Sequence, residues 1–113
     1  MPTVFVIGED WTLRSLVRAE LREHGIAALG MVSQDEAAQA VATGTIPSAV
    51  VLDATSLGSA AASLEFLPRS VPVLLVTSPG ASTPLWAAAV LSKPVQVGEI
   101  VSRVEKLLKG VAA

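Results

Sequence analysis

With 113 residues, of which 51% are hydrophobic and only 16% charged, the chain carries enough apolar side chain for one buried core and too little charge for a disordered segment, so a single domain over residues 1–113 is expected. The absence of cysteine and the single histidine remove disulfide scaffolding, thiolate zinc sites, cysteine nucleophiles and multi-histidine metal clusters. Eight basic residues stand against ten acidic ones, net charge −2; without a basic run this argues against direct nucleic-acid binding. No apolar stretch approaches the roughly 18–20 residues of a membrane span, and Met1 to Gly8 has no basic leader or small-residue cleavage site, so no membrane contact and a cytoplasmic location are expected.

Thr3 to Ile7 (TVFVI) is a β-branched and aromatic run ended by Gly8, the pattern of a strand buried on both faces. The period then changes. Leu13, Leu16, Val17 and Leu21 recur at helical spacing, while Arg14, Arg18, Arg22 and Glu23 take the other side and Gly25 supplies a stop. Trp11 is expected to pack at the start of this helix, and His24 to complement the dipole at its end. Ile26 to Val32 is a weaker strand. Ser33-Gln34-Asp35-Glu36 matches a capping box and opens a helix carrying Ala37, Ala40 and Val41, which should stop at Gly44.

Pro47 to Asp53 (PSAVVLD), Val71 to Thr77 (VPVLLVT) and Ala87 to Leu91 are three further short apolar runs, the last followed by Ser92-Lys93-Pro94. The closing segment sets Ile100, Val101, Val104, Leu107 and Leu108 on one helical face, with Lys106 and Lys109 near its end and Gly110 as terminator. Thr55 to Arg69 leaves room for a short helix only. Ser78 to Trp86 contains Pro79, Gly80 and Pro84, which oppose a regular one. Apolar strands with little polar alternation, separated by amphipathic helices, predict a five-stranded parallel doubly wound α/β sheet with shortened third and fourth helices.

In such a sheet ligands bind beyond the carboxyl ends of the strands. The first strand ends in Gly8-Glu9-Asp10, the third in Asp53, the fourth in Thr77 and the fifth in Lys93-Pro94, so acids, a hydroxyl and an ammonium share one rim. Each has a plain structural alternative. Asp53 would cap the next turn, Lys93 would be a solvated loop residue, Thr77 an ordinary strand residue, and Glu9 and Asp10 acids complementing a helix N-terminus. Trp86, in the proline-interrupted segment, is either packed or an exposed partner-binding anchor. No phosphate-cradling glycine loop accompanies Gly8.

The acidic cluster after the first strand, PSAVVLDAT, VPVLLVTS and LSKPV, in that order over essentially the whole chain, resemble the receiver domain of bacterial two-component response regulators. The resemblance implies a flavodoxin-like sheet of order 2-1-3-4-5 and a phosphorelay acceptor in signal transduction, with no enzymatic turnover of a small substrate. Asp53 would take the phosphoryl group, and Mg²⁺ would be held by Glu9 or Asp10, by Asp53 and by the Thr55 carbonyl. Lys93 would neutralise the phosphoryl oxygens, its peptide to Pro94 being cis, and the Thr77 hydroxyl would report phosphorylation to the face beside strands four and five. The implied partners are a sensor histidine kinase or phosphotransfer protein and a downstream protein, with a homodimer as a further option.

Three features depart from the family's pattern. Its first acid falls on Gly8 and its second on Glu9, one methylene longer than the usual aspartate, while Asp10 either substitutes for the missing acid or caps the helix. Val90 stands where many receivers carry a switching aromatic residue, and the connection from Thr77 to Lys93 is short for the fourth helix. The alternative is therefore a phosphorylation-independent pseudo-receiver used for protein interaction or dimerisation. A small hydrolase built on Asp53 ranks below both. It lacks a placed general base, and Thr55 stands where haloacid-dehalogenase phosphatases need a second aspartate.

Overall fold

The structure is a computed structural model that describes residues 2–53, 64–80 and 86–110. Five strands, β1 (Thr3–Ile7), β2 (Ala27–Met31), β3 (Ala49–Asp53), β4 (Val73–Thr77) and β5 (Ala89–Ser92), form one sheet in the order β2-β1-β3-β4-β5. All four pairings are parallel, in the registers Phe5 to Leu29, Phe5 to Val50, Leu52 to Leu75 and Val76 to Leu91. The expected order is thus observed. Parallel neighbours need crossovers, and the sequence supplies two of them as α1 (Trp11–Glu23), between β1 and β2, and α2 (Gln34–Ala42), between β2 and β3, while α3 (Val97–Leu108) follows β5 and packs on the sheet.

The uniformly apolar strands divide by alternation between two cores. Val4, Val6, Ala49, Val51, Leu74 and Val76 face α1 and α3, meeting Val17, Leu21, Ile100, Val101 and Val104. Phe5, Ile7, Val50, Leu52 and Leu75 face the other way, toward Ala37 of α2 and Leu67. Each such side chain contributes about 1.5–3 kcal/mol on burial, which is why the three central strands tolerate almost no polar residue. Asp53 and Thr77 are the buried polar exceptions among the described residues.

Helix ends follow their caps. Asp10 Oδ1 accepts from the amides of Thr12 and Leu13 at 3.0 and 3.2 Å and starts α1, while Gly25, at φ +76°, ends it after His24. Ser33 Oγ accepts from Glu36 N–H as expected, but the Glu36 carboxylate reaches the amide of Val32, one residue before the cap. The capping box is therefore displaced by one position on its return bond. Gly44 and Gly110 follow α2 and α3 with positive φ.

Several expectations need correcting. Leu16, assigned to the apolar face of α1, is 53% exposed, and Trp11 is 68% exposed, so it does not pack at the helix start. The Arg14, Arg18, Arg22 stripe, opposite the apolar face as expected, also reaches β2. Arg18 Nε and Arg22 Nη2 both donate to the Ala28 carbonyl at 3.2 Å. The Ala27 amide bonds Pro2 and the Met31 carbonyl accepts from Gly8, so odd residues of β2 pair with β1 and the Ala28 carbonyl lies on the open edge of the sheet. Beyond its place as the α1 cap, His24 reaches Glu105 of α3 at 3.3 Å and Glu20 at 3.8 Å, an exposed tie between the two helices. Residues 64–72 hold turns and no helix. The remainder of both shortened connections, Thr55 included, lies outside the described residues.

Candidate functional site

Parallel pairing brings the carboxyl ends of β1, β3, β4 and β5 to one edge. Asp53, opposite Val76, is the last residue of β3 and only 4% exposed; Thr77, opposite Ser92, ends β4 and is 5% exposed. The Lys93 amide continues the β4–β5 ladder by donating to the Thr77 carbonyl at 2.8 Å, which fixes where its side chain departs. From there the Lys93 ammonium reaches Asp53 Oδ2 at 3.2 Å. The Lys93–Pro94 peptide is cis. Asp53 and Thr77, at the ends of β3 and β4, and Lys93, just after β5, thus lie on one rim, and the structure brings the Lys93 and Asp53 side chains into contact.

The acidic side of the rim differs. Glu9 is exposed in the loop between β1 and α1. The carboxylate of Asp10 is engaged in capping α1 through Oδ1. Gly8 is buried and lies against Asp53: a Cβ built on it would stand 2.9 Å from Asp53 Cβ. The position of the missing first acid is thus closed by the neighbouring strand, not merely lacking a carboxylate. Arg14 enters the same neighbourhood, its Nη1 donating to the Gly8 carbonyl at 2.6 Å. A small, mostly apolar niche of ≈ 10 Å³ under α1, lined by Val6, Leu13, Val17 and Val51, also touches Gly8, Asp10, Arg14 and Asp53.

Neither Arg14 nor the close approach of Gly8 belongs to the site expected from sequence. A glycine ending a strand does signal close backbone approach. Arg14 carries no such signal, since its spacing is that of a helix surface. On the other side of Lys93 an open hollow of ≈ 530 Å³, lined by Asp10, Leu13, Pro79, Lys93, Pro94 and Val95, adjoins the rim.

No family model and no curated protein matches the chain. Solved structures do. The receiver protein of a response regulator from Burkholderia phymatum is 27% identical, with a TM-score of 0.80 over 100% of this chain and 98% of its own. The fold is that of a receiver domain. Two further receiver domains share it at lower identity: that of Francisella response regulator 1452, 17% identical over 97% of this chain and 98% of its own at a TM-score of 0.75, and that of DrrB activated by BeF3, 17% identical over 96% and 98% at 0.73.

Receiver domains commonly bind Mg²⁺ at the phosphorylation site, which makes the donor set of this receiver-like chain informative. A hard divalent cation needs several oxygen ligands, carboxylates foremost. Among the described residues no three acidic or histidine side chains come together in a way that holds a metal. The Gly8 position cannot accept a carboxylate without moving Asp53, and Asp10 is committed to α1. The described donors do not fit the cation site that the resemblance implies.

Proposed function

We propose that this chain is a signal-transduction receiver-like module that acts through protein–protein contact, with Asp53 as its phosphoacceptor. The observation that carries the reading is the 3.2 Å contact of Lys93 Nζ with Asp53 Oδ2 at the strand-end rim, beside buried Thr77. An Asp53 carboxylate oxygen attacks the phosphorus of a phosphohistidine or an acyl phosphate. The P–N or P–O bond to the donor breaks, imidazole or carboxylate leaves, and an aspartyl phosphate remains. Lys93 is placed to meet the charge on the phosphoryl oxygens, and Thr77 lies one strand away to sense it. The hollow beside Lys93 gives a donor side chain room to approach. The expected partners are a sensor histidine kinase or phosphotransfer protein and a downstream protein that reads the state of the rim. The module turns over no small substrate, and the whole chain serves as one domain.

A second reading, a phosphorylation-independent pseudo-receiver for protein interaction or dimerisation, is favoured by the closure of the Gly8 position against Asp53. Incubation with acetyl phosphate, with and without Mg²⁺, followed by intact mass and amide shifts, separates the two. A phosphoryl adduct on wild type that is missing from Asp53→Asn supports phosphotransfer. Identical behaviour of the two proteins removes it and leaves the interaction module. The hydrolase reading has no support in the geometry. His24 sits at the far end of α1, tied to Glu20 and Glu105, at the opposite end of the sheet from Asp53.

A further inference from the structure

We propose that the open edge of β2 docks an extended segment in which acidic and apolar residues alternate, added to the sheet as a further strand. The edge is separated from Asp53 by β1, and its use does not depend on phosphotransfer. β2 pairs only with β1. Ala27 donates to the Pro2 carbonyl and Met31 accepts from Gly8, so the alternate residues Ala28 and Gly30 turn their main-chain groups outward. Two cations cover that edge. Arg18 Nε and Arg22 Nη2 converge on the Ala28 carbonyl at 3.2 Å, and the Arg18 stem passes over Gly30, where a Cβ would stand 3.4 Å from Arg18 Cδ. Ala28 is buried, while Gly30 is exposed. Among the described residues neither guanidinium has a carboxylate partner; each is held by a neutral carbonyl. A hydrogen bond from a guanidinium to a carboxylate is roughly twice as strong as one between neutral groups. An incoming acidic strand therefore draws both arginines off the backbone and takes the Ala28 carbonyl with its own N–H.

The pleat sets the pattern of the segment. Ala28 packs into the core on the α1 side, so side chains standing opposite Ala28 and Gly30 point to the α1 face, where Arg18 and Arg22 lie. The side chains between them point to the other face, beside Leu29, which pairs in register with Phe5 on the α2 side and is 38% exposed. Carboxylates on one face and apolar groups on the other complement both. The site ends at Val32, whose amide is already taken by the Glu36 carboxylate at 3.1 Å, a charge that repels a further acid. A second copy of this chain does not fit. Two-fold pairing of two β2 edges keeps both α1 helices on one face and sets Arg18 and Arg22 of each copy against those of the other, like charges across the seam.

The test is a titration of the full ¹⁵N-labelled chain with a capped synthetic peptide of alternating glutamate and valine, with amide hydrogen exchange followed at Gly30. Saturable shifts centred on β2 are expected, and exchange at the outward Gly30 amide should slow by at least about tenfold, because only main-chain pairing protects it. A peptide of the same composition with its glutamates and valines in separate blocks should bind at least about tenfold more weakly, and a lysine–valine peptide should not bind. Arg18→Glu with Arg22→Glu, which still sets like charges against its own copy, is expected to reverse that preference in favour of the lysine–valine peptide. If this variant does not fold, the comparison of peptides on wild type decides. Absence of saturable binding overturns the inference, as does an unreversed preference in a folded variant. Equal binding of the block peptide, or binding that leaves Gly30 exchange unchanged, also overturns it, since the contact would then be charge alone. Protection of Gly30 on raising the concentration of the chain without peptide would make a second copy the occupant and overturn it likewise.

Discussion

Replacing Gly8 by alanine isolates the contact on which the unusual side of the rim turns. The added Cβ would stand 2.9 Å from Asp53 Cβ, against an ordinary carbon–carbon separation of about 3.5–4 Å, an overlap of roughly 0.6–1 Å. Neither atom belongs to a flexible side-chain end. Both are anchored on strands that pair in register up to Ile7 and Leu52, so relief requires the ends of β1 and β3 to separate. Overpacking of this kind costs about 1–3 kcal/mol, offset by about 0.4–1 kcal/mol because alanine restricts the unfolded chain more than glycine does. The expected net loss is about 1–2 kcal/mol. With a urea dependence of about 1–2 kcal/mol per M for a domain of this size, the unfolding midpoint should fall by roughly 0.5–2 M. Since the next nearest atoms are Asp53 Oδ2 and Cγ at 3.6 and 3.7 Å, the amides of Asp53 and Lys93 should shift as well. An unchanged urea midpoint together with unshifted Asp53 and Lys93 amides would refute the claim that the residue-8 position is closed by β3.

Lys93→Met removes the cation from a carboxylate that is only 6% exposed, while the lysine side chain is itself 31% exposed; a loss of about 1–3 kcal/mol is expected in urea unfolding, between the values of surface and buried pairs. Asp10→Ala deletes the α1 cap and should cost about 1 kcal/mol, whereas a residue holding a metal would instead leave stability unchanged in metal-free buffer. Arg18→Ala with Arg22→Ala uncovers the Ala28 carbonyl on the open edge of β2, and concentration-dependent self-association by sedimentation velocity is the expected result. Glu105→Gln cuts an exposed α1–α3 contact and should move stability by less than about 0.5 kcal/mol in thermal or urea unfolding.

The sheet was legible because its signals are local and repeated. Short β-branched runs, a change of period at Trp11 and glycines at helix ends each constrain a few residues, and their order gives a parallel doubly wound sheet, whose strand order followed from the receiver resemblance. The rim was legible for a related reason: once strands are parallel, the last residue of each must lie at one edge, which brings Asp53, Thr77 and Lys93 together without knowledge of any distance. Where the reading failed, the deciding fact was a contact between segments. Leu16 fits the helical period of α1 and still points away from both cores. Arg18 and Arg22 read only as the polar side of α1 until β2 lies beside them, with an edge carbonyl at Ala28 that both reach.

Gly8 shows the same division within a single residue. Its absence of a carboxylate is a property of the residue and is visible in sequence; its distance from Asp53 is a property of the β1–β3 register and is not. The two carry different consequences. A missing carboxylate could be restored by substitution, and Asp10, one position later, looks like a candidate to replace it. A strand end packed against Asp53 Cβ cannot take the carboxylate back, and Asp10 turns its Oδ1 to the amides of Thr12 and Leu13. The positive charge seen at Asp53 is that of Lys93, whose position depends on the same strand-end geometry through the Thr77 carbonyl. Gly8→Asp is accordingly expected to behave like Gly8→Ala, with reduced stability and no gain of Mg²⁺ response at the Asp53 amide; stable folding with a saturable Mg²⁺ shift would show that the site differs from an ordinary receiver by one reversible substitution.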